Sequence, residues 1–137
     1  AYAEIDVRAP DNAAAELLHQ QFESITAKTT IPDTTGEVTG GIMFPPMVQT
    51  PQSKRLFESL QEAGRILGLD LEGIATGGGS DGNHSAQFAP TLDGMGSQGS
   101  MAHSDREFME VASLTERSKV TALFLVSWPE VIAELEG

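Results

Sequence analysis

No cysteine occurs among the 137 residues, so the chain forms no disulfide and offers no thiolate ligand for zinc. It also lacks any run of eighteen apolar residues, so the sequence predicts no membrane-spanning helix. Basic residues are scarce: eight stand against twenty acidic residues, for a formal net charge of −12. This charge argues against nucleic acid or an anionic membrane surface as a partner.

The N-terminal segment AYAEIDVRAP lacks the basic and apolar regions of a secretory signal peptide. Together with the absence of cysteine, this favours a cytoplasmic location. The chain also begins without methionine, which we interpret as the result of processing or as a sign that it is cut from a longer protein. Its length fits one ordinary domain or pieces of two.

The most informative stretch is residues 77–104, which are rich in glycine and hold two of the three histidines. Bulky apolar side chains are too few there to build a core. Glycine lets the backbone approach a ligand closely, and polar residues such as Asp81, Asn83 and His103 are interleaved with the glycines. We therefore expect loops that face a ligand or a metal, with a flexible linker as the alternative.

The remaining pattern predicts an α/β protein. A helix begins at Asp11 as N-cap, and a second is capped by Thr50 and ends at Gly68. Ser113 and Glu116 have the spacing of a capping box for a last helix, which Trp128-Pro129 interrupts. Alternating or short apolar runs predict extended segments at Ala1–Arg8, Glu37–Phe44, Leu69–Ala75, Thr91–Met95 and Glu107–Val111.

Prolines 45, 46 and 51 mark a boundary between residues 1–45 and 46–137. The second segment runs from a helix through a predicted strand into Gly77–Gly79, the kind of loop where ligands collect in open α/β sheets. These three glycines lack the spacing and the lysine of a phosphate-binding loop. No internal repeat is found.

Three motifs carry a resemblance to a known family: DVRAP at 6–10, TGGGSDGN at 76–83 and PTLDGMGSQGSMAHSDREFMEVASL at 90–114. In this order they resemble the C-terminal part of di-zinc exopeptidases such as carboxypeptidase G, aminoacylase and acetylornithine deacetylase. The resemblance implies that residues 1–45 are the second half of an α+β lid or dimerisation domain. Residues 46–137 would then be the C-terminal segment of the catalytic domain, a mixed sheet with helices.

The resemblance also implies roles for individual residues. His103 matches a zinc ligand, and Arg8 matches an arginine that grips the free carboxylate of the substrate. A substrate loop corresponds to the set Gly77, Gly78, Gly79, Ser80 and Asn83. The implied cofactor is zinc, two ions in the complete enzyme with cobalt as an alternative, and the implied assembly is a homodimer formed through the lid domain.

Plainer interpretations stand beside these roles. Arg8 has Asp6 and Glu4 on the same face of its predicted strand and could simply form an ion pair. His103 could stabilise a turn with its neighbours. We expect Asp81 to be a helix N-cap and His84 to be a residue at the start of that helix rather than a ligand.

Much of the family's catalytic machinery has no counterpart in this chain. The His-x-Asp motif and the Glu-Glu pair, which supply further metal ligands and the general base, precede the lid domain in the family, and we expect them upstream. We therefore predict a fragment of a zinc-dependent hydrolase that cleaves an amide bond to an amino acid with a free carboxylate, inactive on its own. The alternative is a non-catalytic binding or dimerisation module that kept the fold.

Overall fold

The computed structural model describes residues 1–127 and 133, and it contains four helices and one small sheet in that part of the chain. The elements in chain order are α1 (Asn12–Thr26), α2 (Pro51–Ile66), α3 (Asp81–Ser85), β1 (Gly99–Ser100), β2 (Phe108–Met109) and α4 (Val111–Val126). The two strands pair antiparallel, with Gly99 opposite Met109 and Ser100 opposite Phe108. The predicted interruption at Trp128-Pro129 lies outside the described residues.

Helix α1 begins where the sequence predicts. The Asp11 carboxylate accepts a hydrogen bond from the Ala14 backbone N–H at 2.8 Å and so satisfies a free donor of the first turn. None of the residues of α1 is buried, and both Leu17 and Ile25 on its apolar stripe are exposed. The helix therefore has a clear N-terminus and an apolar stripe that is not buried.

Helix α2 is bounded by local signals at both ends. Thr50 and Ser53 form a reciprocal capping box, and Pro51 occupies the first turn. At the other end Gly68 has a φ of 73°, which glycine adopts without steric cost. The amides of Gly68 and Leu69 bond to the carbonyls of Arg65 and Gly64, a Schellman motif that stops the helix.

The core forms where α2 packs against α4. Its buried apolar side chains come from α2, from the segment after it and from α4: Leu56, Leu60, Ala63, Leu71, Val120 and Phe124. Leu56, Leu60 and Ala63 recur at helical spacing and form the buried stripe of α2, whereas Leu67, directly after the helix, is 40% exposed. This packing is the main source of tertiary stabilisation in the described residues.

Most predicted strands are not formed. The segments Ala1–Arg8, Glu37–Phe44, Leu69–Ala75 and Thr91–Met95 have no strand structure, and of Glu107–Val111 only Phe108–Met109 is paired. A strand persists only when its N–H and C=O groups find a neighbouring strand. These described segments have no such neighbour, so the predictions of strands there were wrong.

The chain divides into two compact units. The first consists of Ala1–Val48 with Gly77–Ala89, and the second of Gln49–Thr76 with Pro90–Gly137. The segment Gly77–Ala89 therefore groups with the N-terminal residues. The predicted division into lid and catalytic segments at residue 45 stays a prediction. None of the described helices combines the length and the apolar character needed to span a membrane.

Candidate functional site

In the first unit, Arg8 contacts Gly77, the first residue of the segment 77–83, which we call the glycine loop. Its Nη1 donates to the carbonyl oxygen of Gly77 at 2.7 Å, and its Nη2 donates to the Asp6 carboxylate at 3.1 Å. The Arg8 side chain is 65% exposed, so part of the guanidinium faces solvent. The ion pair that we considered as the plain interpretation is therefore present, and so is a contact with the predicted substrate loop.

Gly77 and Gly79 leave room for the side chains beside them. A Cβ at Gly77 would lie 3.2 Å from Nη1 of Arg8, and a Cβ at Gly79 would lie 3.0 Å from Cγ of Phe44. Both distances are tighter than ordinary side-chain contacts. The absence of side chains in this loop thus allows Arg8 and Phe44 to approach the backbone.

Ser80 and Asn83 form a second capping box, at the start of α3. The Asn83 Oδ1 accepts from the Ser80 backbone N–H at 2.8 Å, and the Ser80 Oγ accepts from the Gly82 N–H at 3.1 Å. The expectation that Asp81 is the N-cap is wrong: Ser80 caps the helix, and Asp81 lies in its first turn, where an acid also suits the helix dipole.

The glycine loop is attached to the segment around Phe44 and Pro45. The Asn83 Nδ2 donates to the Pro45 carbonyl at 2.9 Å, and the His84 and Phe44 rings lie 5.2 Å apart. His84 belongs to the short helix, as expected, but it lies in the last turn and not at the start. The sequence alone did not indicate that Phe44 and Pro45 would contact this loop, because the contacts join residues about forty positions apart. The only local signal was the pair Pro45-Pro46, since proline restricts the backbone.

In the second unit, His103 lies in the turn between β1 and β2. It has a φ of 65°, and Met101 two positions earlier has a φ of 58°. Such values are uncommon outside glycine and are a source of backbone strain. The Ser104 Oγ donates to the Met101 carbonyl at 2.7 Å and accepts from the Arg106 N–H at 3.2 Å. The turn is therefore held by Ser104.

The His103 imidazole is exposed and forms no hydrogen bond or ion pair with the described residues. Residues His103, Ser104 and Asp105 also read His-x-Asp. In the family, however, the His-x-Asp motif that supplies metal ligands precedes the lid domain, whereas these residues lie in the last of the three motifs that carry the resemblance. No group of three or more His, Cys, Asp or Glu side chains that could hold a metal ion occurs among residues 1–127 and 133. These described residues therefore do not bring together a complete set of protein ligands for a metal ion.

The structure thus places the predicted site residues in two groups. Arg8, Gly77–Gly79, Ser80 and Asn83 belong to the first unit, and His103 belongs to the second. In the first group Arg8 touches Gly77, and Ser80 and Asn83 bond to each other. The substrate and metal roles of all these residues stay predictions.

A family model described as peptidase family M20/M25/M40 matches residues 7–127, which is most of the chain. The chain belongs to this family. Membership in the M20 family makes it a relative of metallopeptidases, a class of hydrolases, and confirms the resemblance at the level of the family. The narrower likeness to carboxypeptidase G and its relatives stays a prediction. No curated protein and no solved structure matches the chain.

Proposed function

We propose that this M20 chain supplies the carboxylate-binding side and one metal ligand of a hydrolase that cleaves the amide bond to an amino acid with a free carboxylate. The observation that carries the proposal is the contact between Arg8 and the Gly77 carbonyl. This contact brings an exposed cation to the predicted substrate loop within one compact unit.

Arg8 would bind the carboxylate of the substrate. A guanidinium has five N–H donors, and the contacts with Gly77 and Asp6 leave others free to form two parallel bonds to a carboxylate. The bond to Gly77 would keep the guanidinium at the loop while the substrate binds. The ion pair with Asp6 would likewise hold the guanidinium in place while its free donors bind the substrate.

His103 would be a metal ligand, because its exposed imidazole forms no hydrogen bond or ion pair with the described residues and imidazole nitrogen is a common ligand of zinc. Zinc, two ions in the complete enzyme with cobalt as the alternative, would polarise the amide carbonyl and activate a water molecule when bound. The described residues supply no complete donor set. We therefore propose that the remaining ligands and the glutamate base come from outside this chain, and that the chain alone is inactive.

The decisive experiment is His103→Ala in the complete enzyme, with His19→Ala as the matched control. His19 is a second accessible histidine, on α1, whose partner is Glu23 at 3.6 Å. Loss of a single group that only supports a metal ligand costs about 10–100-fold, so loss of the ligand itself should lower turnover by about 10³-fold. Bound metal should fall with it. Full metal content and normal turnover in His103→Ala would refute the assignment.

A second measurement tests whether the chain alone lacks most of the metal ligands, as both the enzyme fragment and its alternative, a binding or dimerisation module that kept the fold, require. Zinc titration by calorimetry should show no stoichiometric site tighter than micromolar on the chain alone. Such a site would contradict the proposal that ligands are missing. We further propose a homodimer through residues 1–45, which sedimentation at several concentrations would detect.

A further inference from the structure

Ser113 is a buried polar residue in the second unit. It is 2% exposed, whereas every other polar or charged residue of the described chain is at least partly exposed. It lies in the first turn of α4. Its Oγ donates to the Glu110 carbonyl at 2.6 Å and accepts from the Gln98 backbone N–H at 2.8 Å. The hydroxyl is therefore used both as a donor and as an acceptor.

These two partners form the base of the β1–β2 hairpin. Gln98 directly precedes β1 and Glu110 directly follows β2, and the Glu110 N–H donates to the Gln98 carbonyl at 2.9 Å. Ser113 thus bonds to both ends of the hairpin. The helix that carries it also contributes Val120 and Phe124 to the core, so the hydroxyl links the hairpin to a helix that is packed in the core.

Ser118 shows what an ordinary serine does on the same helix. Its Oγ donates to the Leu114 carbonyl at 2.7 Å, four residues earlier, and the side chain is exposed. The expected capping box of Ser113 with Glu116 is wrong, because Glu110 is the N-cap and has no side-chain capping bond. Burial and the bond to Gln98, fifteen residues away, distinguish Ser113 from a local helix bond.

We infer that Ser113 is a positioning residue: it fixes the hairpin on α4 and thereby fixes the turn that presents His103. The inference rests on the proposed function for the role of His103, but the attachment of the hairpin does not. Without the hydroxyl, the Gln98 N–H loses the acceptor of a part-buried hydrogen bond, and a donor left unsatisfied there costs free energy. The hairpin would then open locally while the helix pair stays packed.

The first test is amide hydrogen exchange of the 137-residue chain, measured by NMR for Ser113→Ala, Ser113→Thr and Ser118→Ala. Ser113→Ala should speed exchange at Gln98 and at the β1–β2 amides by about tenfold relative to α2, as expected for one lost buried hydrogen bond. Ser113→Thr keeps the hydroxyl and should restore most of the protection. Ser118→Ala should leave the hairpin unchanged.

A destabilised comparison variant separates local opening from general loss of stability. Val120→Ala removes buried methyl groups on the same helix and leaves the hairpin bonds in place. Its exchange should rise evenly across α2, α4 and the hairpin. If Ser113→Ala shows that same even rise, or no change at Gln98, then Ser113 does not position the hairpin and the inference is wrong.

The second test uses the complete enzyme. Ser113→Ala should lower kcat by about tenfold with KM unchanged, because the turn with His103 is loosened while the contact of Arg8 with Gly77 is intact. Ser113→Thr should recover kcat. A KM effect without a kcat effect would contradict the inference. Failure of the proposed function has a different signature, since His103→Ala itself would then leave turnover unchanged.

Discussion

The two compact units differ in how they are held together. Every buried residue of the described chain belongs to the second unit, whereas residues 1–48 and 77–89 contain none. The first unit contains instead hydrogen bonds that are exposed or only part-buried, such as those of Arg8 with Gly77 and Asn83 with Pro45. Such bonds each contribute little net stability, because water competes for the same groups.

Helices α1 and α2 show why the units differ. Both have an apolar stripe and a side-chain cap, so their sequences predict the same behaviour. Helix α2 packs on α4, but α1 packs on no other helix or strand of the described chain. An amphipathic pattern therefore indicates which face of a helix is suited to burial, and a partner decides whether that face is buried.

The largest expected effect comes from comparing one leucine in each unit. Leu60→Ala should destabilise the chain by about 2–5 kcal/mol, since Leu60 is only 5% exposed and its loss leaves a cavity. Leu17→Ala, at 55% exposure on α1, should change the free energy of unfolding by less than about 0.5 kcal/mol. Urea unfolding followed by circular dichroism measures both. Equal losses would remove the distinction between the units.

Gly99 and Gly96 test whether the second unit is also tightly packed outside its core. A Cβ at Gly99 would overlap the carbonyl oxygen of Phe108, so Gly99→Ala should cost about 1–3 kcal/mol. Gly96 has open space around it, and Gly96→Ala should be neutral or slightly stabilising. The midpoint of urea unfolding distinguishes them. An unchanged stability in Gly99→Ala would show that the hairpin backbone shifts at little cost to make room for the added methyl group.

The two capping boxes allow the same change in each unit. Thr50→Ala should lower the stability of the chain by about 1 kcal/mol, because Thr50 caps α2, one of the two helices that pack together to form the core. Ser80→Ala affects a five-residue helix and should alter global stability by less than about 0.5 kcal/mol. Thermal unfolding gives the global effect, and amide exchange at Asn83 should report the local one. If Ser80→Ala lowered the global stability more than Thr50→Ala does, the first unit would depend on its helix cap more than the second unit does.

The smallest effect is expected at Arg8. Arg8→Ala removes the contacts with Gly77 and Asp6, but these are exposed and screened by water. Its effect on the free energy of unfolding should stay below about 0.5 kcal/mol. Arg106→Ala, an exposed cation of the second unit, controls for the change in net charge. A clear loss of stability in Arg8→Ala alone would show that the first unit depends on this contact.

Local signals were predicted correctly at three helix ends, although the caps predicted at Asp81 and Ser113 were wrong, and contacts between distant residues could not be predicted. The caps Asp11 and Thr50 and the stop at Gly68 act on their own neighbours, so they were predicted correctly. The strand at Ala1–Arg8 was not, because pairing depends on a partner that a single segment does not specify.

The candidate site shows the same division. Motif order led to the right family, and residue types suggested roles for Arg8 and His103. The sequence did not indicate that Arg8 would bond to the Gly77 carbonyl, 69 positions away, or that Ser113 would be buried beneath the hairpin. Both depend on how remote segments meet, and a hydroxyl or a guanidinium has many possible partners.

The turn at Gly68 has a consequence for the order in which the chain folds. It directs the chain back along α2, so that a Cβ at Gly64 would lie 2.9 Å from Cγ of Leu71, and the Gln61 amide donates to the Leu71 carbonyl at 2.8 Å. Contacts across such a short loop cost little closure entropy and form early. We expect residues 51–71 to be ordered in the folding transition state and α4 to dock afterwards. Changes at Gly68 would then slow folding, whereas changes at Val120 would mainly speed unfolding.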